Sequence, residues 1–548
     1  MIVNQGKSMP RNPRPHRRAA AAALAAALLA AGCSGSTSAD DRERDGSGAT
    51  DRSTPAAQAY PGVPDDLAQQ RLEWESCGAP TELQGEGQPP GELDDGTPWQ
   101  CAELTVPLDW SEPGGDTIDL ALIRAESSSR DGNRVGSLVF NFGGPGASGV
   151  FTMPLVSEDY ASLRTGFDLV SFDPRGVGES AGVVCFDGEQ QDAVDQEHGS
   201  LPQTPEDEAA LEKLDEQYIA ACEENSGDVL PHVTTTNTAR DLDLLRHVLG
   251  DTKLHYFGIS YGTELGGVYA NLFPERVGRA VLDAVVDPTG NLLEQSLQQA
   301  EGFQLALENY MADCAGQDPE GCPTGSGPEE GNEILAGLLA GLAEEPLPTE
   351  DDRDLTQTLA VTGIAAALYS EETWPYLTTA LELALEGRGD VLLLFADAYN
   401  GRGDDGTYSN QNAAHVAIRC ADSSAGLDRT AVDEHRDEFL AASPVFGEFL
   451  VWSLTGCDGW PVEGESDNPE VSAEGSSEIL LIATTGDPAT PYAGAERMQQ
   501  ELGEGVGILL TYDGEGHGAY NGTDPCITEA VDEYLLAGMV PKDGLVCG

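Results

Sequence analysis

Basic residues are scarce in this 548-residue chain: 28 Lys and Arg stand against 95 Asp and Glu, a formal net charge of −67. So acidic a surface repels phosphate backbones and anionic headgroups, which excludes nucleic acid as a partner and direct electrostatic attachment to a membrane. It also makes acidic residues poor guides to a site, because most of them simply keep the protein dissolved. Metal-binding signatures are missing as well. There is no Cys-x-x-Cys pair, and the eight histidines are scattered, so no metal is expected. Long apolar runs are also absent: the run near the start, Ala19 to Ala31, is too short to cross a bilayer as a helix. No internal repeat is visible.

What the N-terminus does carry is an address. Arg11 to Arg18 form a basic stretch before the apolar run, the layout of a signal peptide. The run ends in Leu28-Leu29-Ala30-Ala31-Gly32-Cys33. Small residues before a cysteine resemble a bacterial lipobox, in which Cys33 would be lipidated and become the mature N-terminus; an ordinary cleaved signal peptide is the alternative. Either puts the mature protein outside the cytoplasm, secreted or held on the outer membrane face by a lipid anchor alone. Residues 34–65, rich in Ser, Asp, Arg, Gly and Pro, read as a disordered tether. Setting Cys33 aside leaves ten cysteines, an even number suited to an oxidising compartment. Neighbour pairing is the simplest arrangement: Cys77–Cys101, Cys185–Cys222, Cys314–Cys322, Cys420–Cys457 and Cys526–Cys547.

Apolar runs at 136–143, 167–173, 254–257, 280–286, 479–483 and 506–511 read as buried strands, and 238–249 has the spacing of a helix. Strands alternating with helices predict a parallel sheet covered on both faces. From 291 to 405 the patterns are mostly helical. The expected organisation is one α/β core begun by residues 66–290, a helical cap at 291–405, and a C-terminal part, 406–548, that completes the core.

Two Gly-x-Ser-x-Gly motifs are present, and in a chain with 65 glycines chance alone gives on the order of half a match. Context separates them. A nucleophile elbow needs a strand running into the turn and a helix leaving it. Gly258-Ile259-Ser260-Tyr261-Gly262 has both, whereas Gly178-Glu179-Ser180-Ala181-Gly182 sits in a loop after Asp173. Ser260 is therefore the candidate nucleophile. A serine hydroxyl needs a base, and the base an orienting carboxylate, in the chain order Ser, acid, His for this fold. His517, between glycines after the last expected strand, is the candidate base, ahead of His415 and His435, which follow no strand. Asp487 ends the preceding strand and is the candidate acid, with Asp513 as rival; Thr490 and Pro491 are expected to cap and start the next helix. The oxyanion needs two N–H donors. Tyr261, next after the nucleophile, would give one, and Gly144 of the glycine loop Phe142-Gly-Gly-Pro-Gly146 the other. No cofactor is called for.

Together these segments resemble the proline iminopeptidase family of serine peptidases, whose fold is the α/β-hydrolase fold, and within it the actinobacterial secreted tripeptidyl aminopeptidases. The resemblance rests on Asn141-Phe-Gly-Gly-Pro-Gly-Ala-Ser-Gly149, Phe172-Asp-Pro-Arg-Gly-Val-Gly-Glu-Ser180, Gly258-Ile-Ser-Tyr-Gly-Thr263, Val281-Leu-Asp-Ala-Val-Val-Asp-Pro288 and Thr485-Gly-Asp-Pro-Ala-Thr-Pro491. It runs from about residue 70 to the end. It implies hydrolysis of peptides from a free N-terminus, with a peptide as the substrate partner; relatives of this shape also include carboxylesterases. The implied aminopeptidase also needs carboxylates for the substrate ammonium, for which Glu264, Glu294, Glu301 and Glu308 are available. A peptide-binding lipoprotein without catalysis is the distant alternative.

Overall fold

The computed structural model of the protein describes residues 60 and 62–548, apart from 130–133, 424–425, 467 and 521–523. The expected signal peptide, Cys33 and nearly all of the expected tether lie outside the described residues. One ten-stranded sheet organises the rest. Its strands are β1 (Glu75–Ser76), β2 (Gln100–Pro107), β3 (Thr117–Ala125), β4 (Gly136–Asn141), β5 (Phe167–Phe172), β6 (Leu254–Ile259), β7 (Val277–Asp283), β8 (Ile479–Gly486), β9 (Gly507–Glu515) and β10 (Leu545–Cys547). They lie in the order β1-β2-β3-β5-β4-β6-β7-β8-β9-β10. β1, β2 and β3 join antiparallel at one edge, and every pair from β5 onward is parallel. This is the α/β-hydrolase architecture.

Successive residues of the central strands are apolar on both faces, as a sheet buried on both sides requires. Val139, Tyr256 and Leu481 enter one core cluster, and their neighbours Phe140, Phe257 and Leu480 enter another on the opposite face. The flanking helices are α1 (Gly149–Val156), α2 (Gly188–Glu197), α3 (Pro205–Ser226), α4 (Thr235–Val248) and α5 (Tyr261–Leu272). After β7 the chain leaves the sheet for α6 (Leu292–Gln317), α7 (Pro328–Glu344), α8 (Gln357–Ala367), α9 (Trp374–Leu385), α10 (Asp390–Asn400), α11 (Gln411–Asp422), α12 (Arg429–Ala442) and α13 (Gly447–Trp452). It returns at β8, then adds α14 (Ala493–Leu502) and α15 (Pro525–Ala537).

One boundary differs from the sequence expectation. The helical excursion does not end at 405, because α12 and α13 pack on α6 through Phe439, Val451 and Ala300, and strands resume only at Ile479. α11, by contrast, buries Ala414, Ala417, Ile418 and Ala421 in the main core. It is therefore a helix of the core reached through the cap. Five disulfides join the neighbour pairs Cys77–Cys101, Cys185–Cys222, Cys314–Cys322, Cys420–Cys457 and Cys526–Cys547.

Candidate active site

β6 runs directly into Ser260, and α5 leaves from it. Ser260 has φ 58° and ψ −125°, a conformation that costs a residue with a β-carbon of order 1–3 kcal/mol. Its neighbours hold it there. The Ser260 N–H donates to the Asp283 carbonyl at 3.0 Å, and the Ser260 carbonyl accepts from the Thr263 hydroxyl at 2.7 Å. Both motif glycines are required for space: a β-carbon on Gly258 would lie 2.3 Å from the Gly262 carbonyl, and one on Gly262 would lie 2.7 Å from that of Asn141. The rival motif is a buried latch. Ser180 is 0% exposed, and its hydroxyl oxygen accepts the Ala121 N–H at 2.9 Å.

Asp487 and His517 come together at the ends of β8 and β9. His517 Nδ1 lies 2.9 and 3.1 Å from the two Asp487 oxygens. The carboxylate is further fixed by the N–H groups of Ala489 and Thr490 and by the Thr490 hydroxyl, each at 2.9 Å. Thr490 thus does not cap a helix at Pro491; α14 starts at Ala493, because the threonine side chain is committed to Asp487. Burial disfavours an imidazolium at His517, but the Asp487 charge and hydrogen bond, with Asp283 beyond, outweigh it and hold the imidazole above its ordinary value. The rivals are spent elsewhere. Asp513 is exposed and accepts from Thr485, and His435 lies against Glu438.

Sequence reasoning missed three contributors. Asp283 joins the elbow to the histidine loop: its carbonyl takes the Ser260 N–H, and its carboxylate takes the N–H groups of Ala519 and Tyr520 at 3.1 and 2.9 Å. Burial pushes that carboxyl up to about 6. Tyr369 comes from the cap. Its carbonyl accepts the His517 N–H at 2.8 Å, and its ring meets the imidazole edge-on, centroids 5.0 Å apart. His415, on α11, lies against the Gly144–Gly146 loop and is pushed down to about 4 by burial and by Arg419. Asp283 falls within the Val281–Pro288 segment of the resemblance and His415 is a rival base, yet neither signal points to these roles, which arise only from contacts made by distant segments.

The glycine loop presses onto Ser260. A β-carbon on Gly143 would lie 2.6 Å from the Ile259 carbonyl and 2.9 Å from Ser260 Cβ. The Gly143 N–H is taken by the Asn141 side chain at 3.0 Å, leaving Gly144 as the next donor of the loop. Tyr261, first residue of α5, has no intrahelical acceptor for its N–H. Gly144, Ser260 and Tyr261 line one cavity of about 450 Å³, and Tyr369 and Thr490, which touch His517, line it too. From the other side Asp173 braces the loop, accepting the Ser148 hydroxyl at 2.6 Å and the Val150 N–H at 3.1 Å. A hydroxyl on a strained turn, an imidazole–carboxylate pair and two backbone N–H groups bordering one cavity are parts that acyl transfer uses.

Comparison with known proteins gives consistent relatives. A family described as alpha/beta hydrolase fold matches residues 136–318, and one described as TAP-like protein matches residues 443–547. The chain is similar to serine protease Hip1 of Mycobacterium tuberculosis, 38% identical over 459 residues, covering 82% of this chain and 87% of that one. It is similar to a tripeptidyl aminopeptidase of Streptomyces coelicolor, 31% identical over 487 residues, with 87% and 86% covered. A protein named carboxylesterase B from M. tuberculosis is 35% identical over 462 residues, with 82% and 86% covered.

Proposed function

We infer the reaction from the premise that this chain belongs to the α/β-hydrolase family, in its TAP-like group of serine peptidases. It is an enzyme of serine-hydrolase type. Our finer reading is an exopeptidase that releases short peptides from a free N-terminus through an acyl-enzyme on Ser260. His517 takes the hydroxyl proton and returns it to the leaving amine, Asp487 orients the imidazole, and the N–H groups of Gly144 and Tyr261 receive the oxyanion. The observation that carries this reading is the hydrogen-bonded His517–Asp487 pair, whose partners Tyr369 and Thr490 share with Ser260 a cavity of about 450 Å³ beneath cap helices. A cavity of that size accepts a chain end a few residues long. Relatives named aminopeptidase support the reading.

A second reading, carboxylesterase with the same residues, is favoured by the relatives of that name. Fluorophosphonate labelling tests what the two share: wild type should label and Ser260→Ala should not. Tripeptide anilides with free and blocked N-termini, compared with short acyl esters, divide them. Blocked peptides cleaved as fast as free ones would sink the aminopeptidase. We further propose export, with Cys33 as the lipid attachment point; five disulfides support an oxidising compartment. Metabolic labelling with a radioactive fatty acid should mark wild type and not Cys33→Ala, and equal labelling of the two would remove the anchor.

A further inference from the structure

The glycine loop that carries Gly144 is held from two sides, and one segment reaches the supports of both. That segment is residues 77–99, which link β1 to β2 without helix or strand. The Cys77–Cys101 disulfide fastens its start to β2. It lies as a strap against α1: a β-carbon on Gly85 would come 3.2 Å from the Phe151 ring. On its exposed side the Thr81 hydroxyl donates to Glu179 at 2.6 Å.

Leu83 and Gln84, neighbours on the strap, each engage one support. The Leu83 carbonyl accepts the Asn410 N–H at 3.0 Å. Asn410 precedes α11, and the next residue, Gln411, walls the loop: its carbonyl would lie 2.4 Å from a β-carbon on Gly146. On the other side the Gln84 amide donates to Asp173 Oδ2 at 2.8 Å, while its own oxygen accepts the Thr81 N–H at 3.1 Å. Asp173 Oδ1 takes the Ser148 hydroxyl and the Val150 N–H. Ser148 closes the loop and caps α1, its side chain accepting the Phe151 N–H at 3.1 Å.

Asp173 is 0% exposed, and the groups that donate to it are neutral: Ser148, Val150, Gln84 and, at 3.3 Å, the Glu179 N–H. Burial pushes its carboxyl up, and these hydrogen bonds pull it back. A buried carboxylate held this way depends on each of its donors. Gln84 is the donor that comes from neither the glycine loop nor the turn after β5. Without it Oδ2 keeps only the long bond from Glu179, and the acceptor that fixes Ser148 and Val150 is free to turn. Gln84 itself lies outside the Ser260 cavity, so its loss removes no contact with bound substrate.

We propose that Gln84 is a positioning residue for the reaction: it fixes Asp173, which fixes Ser148 and Val150, and so holds the Gly144 N–H where the oxyanion forms. This rests on the acyl-enzyme reading, in its peptidase or its esterase form. Because the oxyanion is absent from bound substrate, a misplaced donor lowers kcat and spares KM. The test compares full-length wild type with three variants. Gln84→Met keeps the side-chain length without the donor, Gln84→Asn has its amide one methylene short, and Thr81→Val cuts only the exposed link to Glu179. End-point fluorophosphonate stoichiometry counts the active sites, so an unfolded fraction does not enter kcat. The substrate is whichever of the tripeptide anilide and the short acyl ester wild type turns over faster. Both Gln84 variants should lose about 10–100-fold in kcat, the scale of a small misplacement, with KM within about twofold. A trifluoromethyl ketone bearing the same acyl group, whose serine adduct carries an oxyanion, should bind them more weakly by the same factor. Thr81→Val should keep kcat and ketone affinity within about twofold. If Gln84→Met does not fold, Gln84→Asn decides alone. The proposal is overturned by a kcat close to wild type in the Gln84 variants, by a KM that rises as far as kcat falls, or by undiminished ketone affinity. An equal loss in Thr81→Val also overturns it, since the strap would then matter only as a whole. If Ser260→Ala turns over substrate at the wild-type rate, the acyl-enzyme reading itself fails, and this role falls with it.

Discussion

Replacing Arg175 by Met should destabilise the protein by about 3–5 kcal/mol, the cost of leaving one member of a buried ion pair behind. Arg175 and Asp241 are both 0% exposed. Two parallel bonds of 2.7 Å join them, and the remaining guanidinium donors go to the carbonyls of Leu108 and His232 at 2.9 Å and Pro107 at 3.0 Å. Without the arginine, Asp241 keeps only the Trp110 indole N–H at 2.8 Å, and three carbonyls lose a donor, which places the loss toward the upper end. The assay is urea unfolding of disulfide-intact protein followed by tryptophan fluorescence, at several pH values. Burial already raises the Asp241 carboxyl, with Arg175 pulling it back. In the variant that restraint is gone, so the Asp241 share of the penalty is absent below the unfolded pKa of about 3.9 and grows as pH rises through the folded one, while the share from the unpaired carbonyls stays at every pH. Asp241→Leu added to Arg175→Met should recover much of the loss, and Arg175→Lys, which restores charge but not the fork, should fall between. A loss under 1 kcal/mol, or one that Asp241→Leu leaves unchanged, would refute the reasoning.

Other outcomes follow from the site. Asp487→Asn should lower kcat by roughly 10⁴-fold. In wild type the acid limb of kcat/KM should lie above the ordinary histidine value of about 6.5, because Asp487 raises His517; the pH–rate profile of the variant should move downward, since burial is then opposed only by Asp283. Gly143→Ala places a methyl group against Ile259 and Ser260 and should cost at least about 10²-fold in activity, a loss expected from a misplaced nucleophile. Retained activity would show that the loop can yield. Ser180→Ala leaves the Ala121 N–H without its acceptor and should cost about 1–3 kcal/mol in unfolding free energy, with fluorophosphonate labelling unchanged.

The elbow was legible because its requirements are local: a strand, two glycines and a helix read directly from periodicity and turn chemistry. The central strands were legible for the same reason, their runs being apolar on both faces. β2 was not, since Gln100–Pro107 mixes polar and apolar residues with partial burial, and β3 offers only the short run Leu120–Ile123. Arg175 was visible only as part of a motif. Nothing in its neighbours says that its partner is Asp241, 66 positions on. The α11 face was hidden more deeply. Its histidine, arginine and aspartate look like ordinary surface residues of an acidic protein until the cap turns the helix toward Ser260.

The split core has a consequence for synthesis. Ser260 is made about halfway along the chain, but His517, the base of the proposed mechanism, follows β9, close to the end, with every cap helix translated in between. A nascent or prematurely terminated chain carries the hydroxyl and the oxyanion loop with no imidazole to activate them. On the proposed mechanism the triad is complete only once β8 and β9 have been added beside β7. On that mechanism the order of elements would withhold the base until every cap helix has been synthesised.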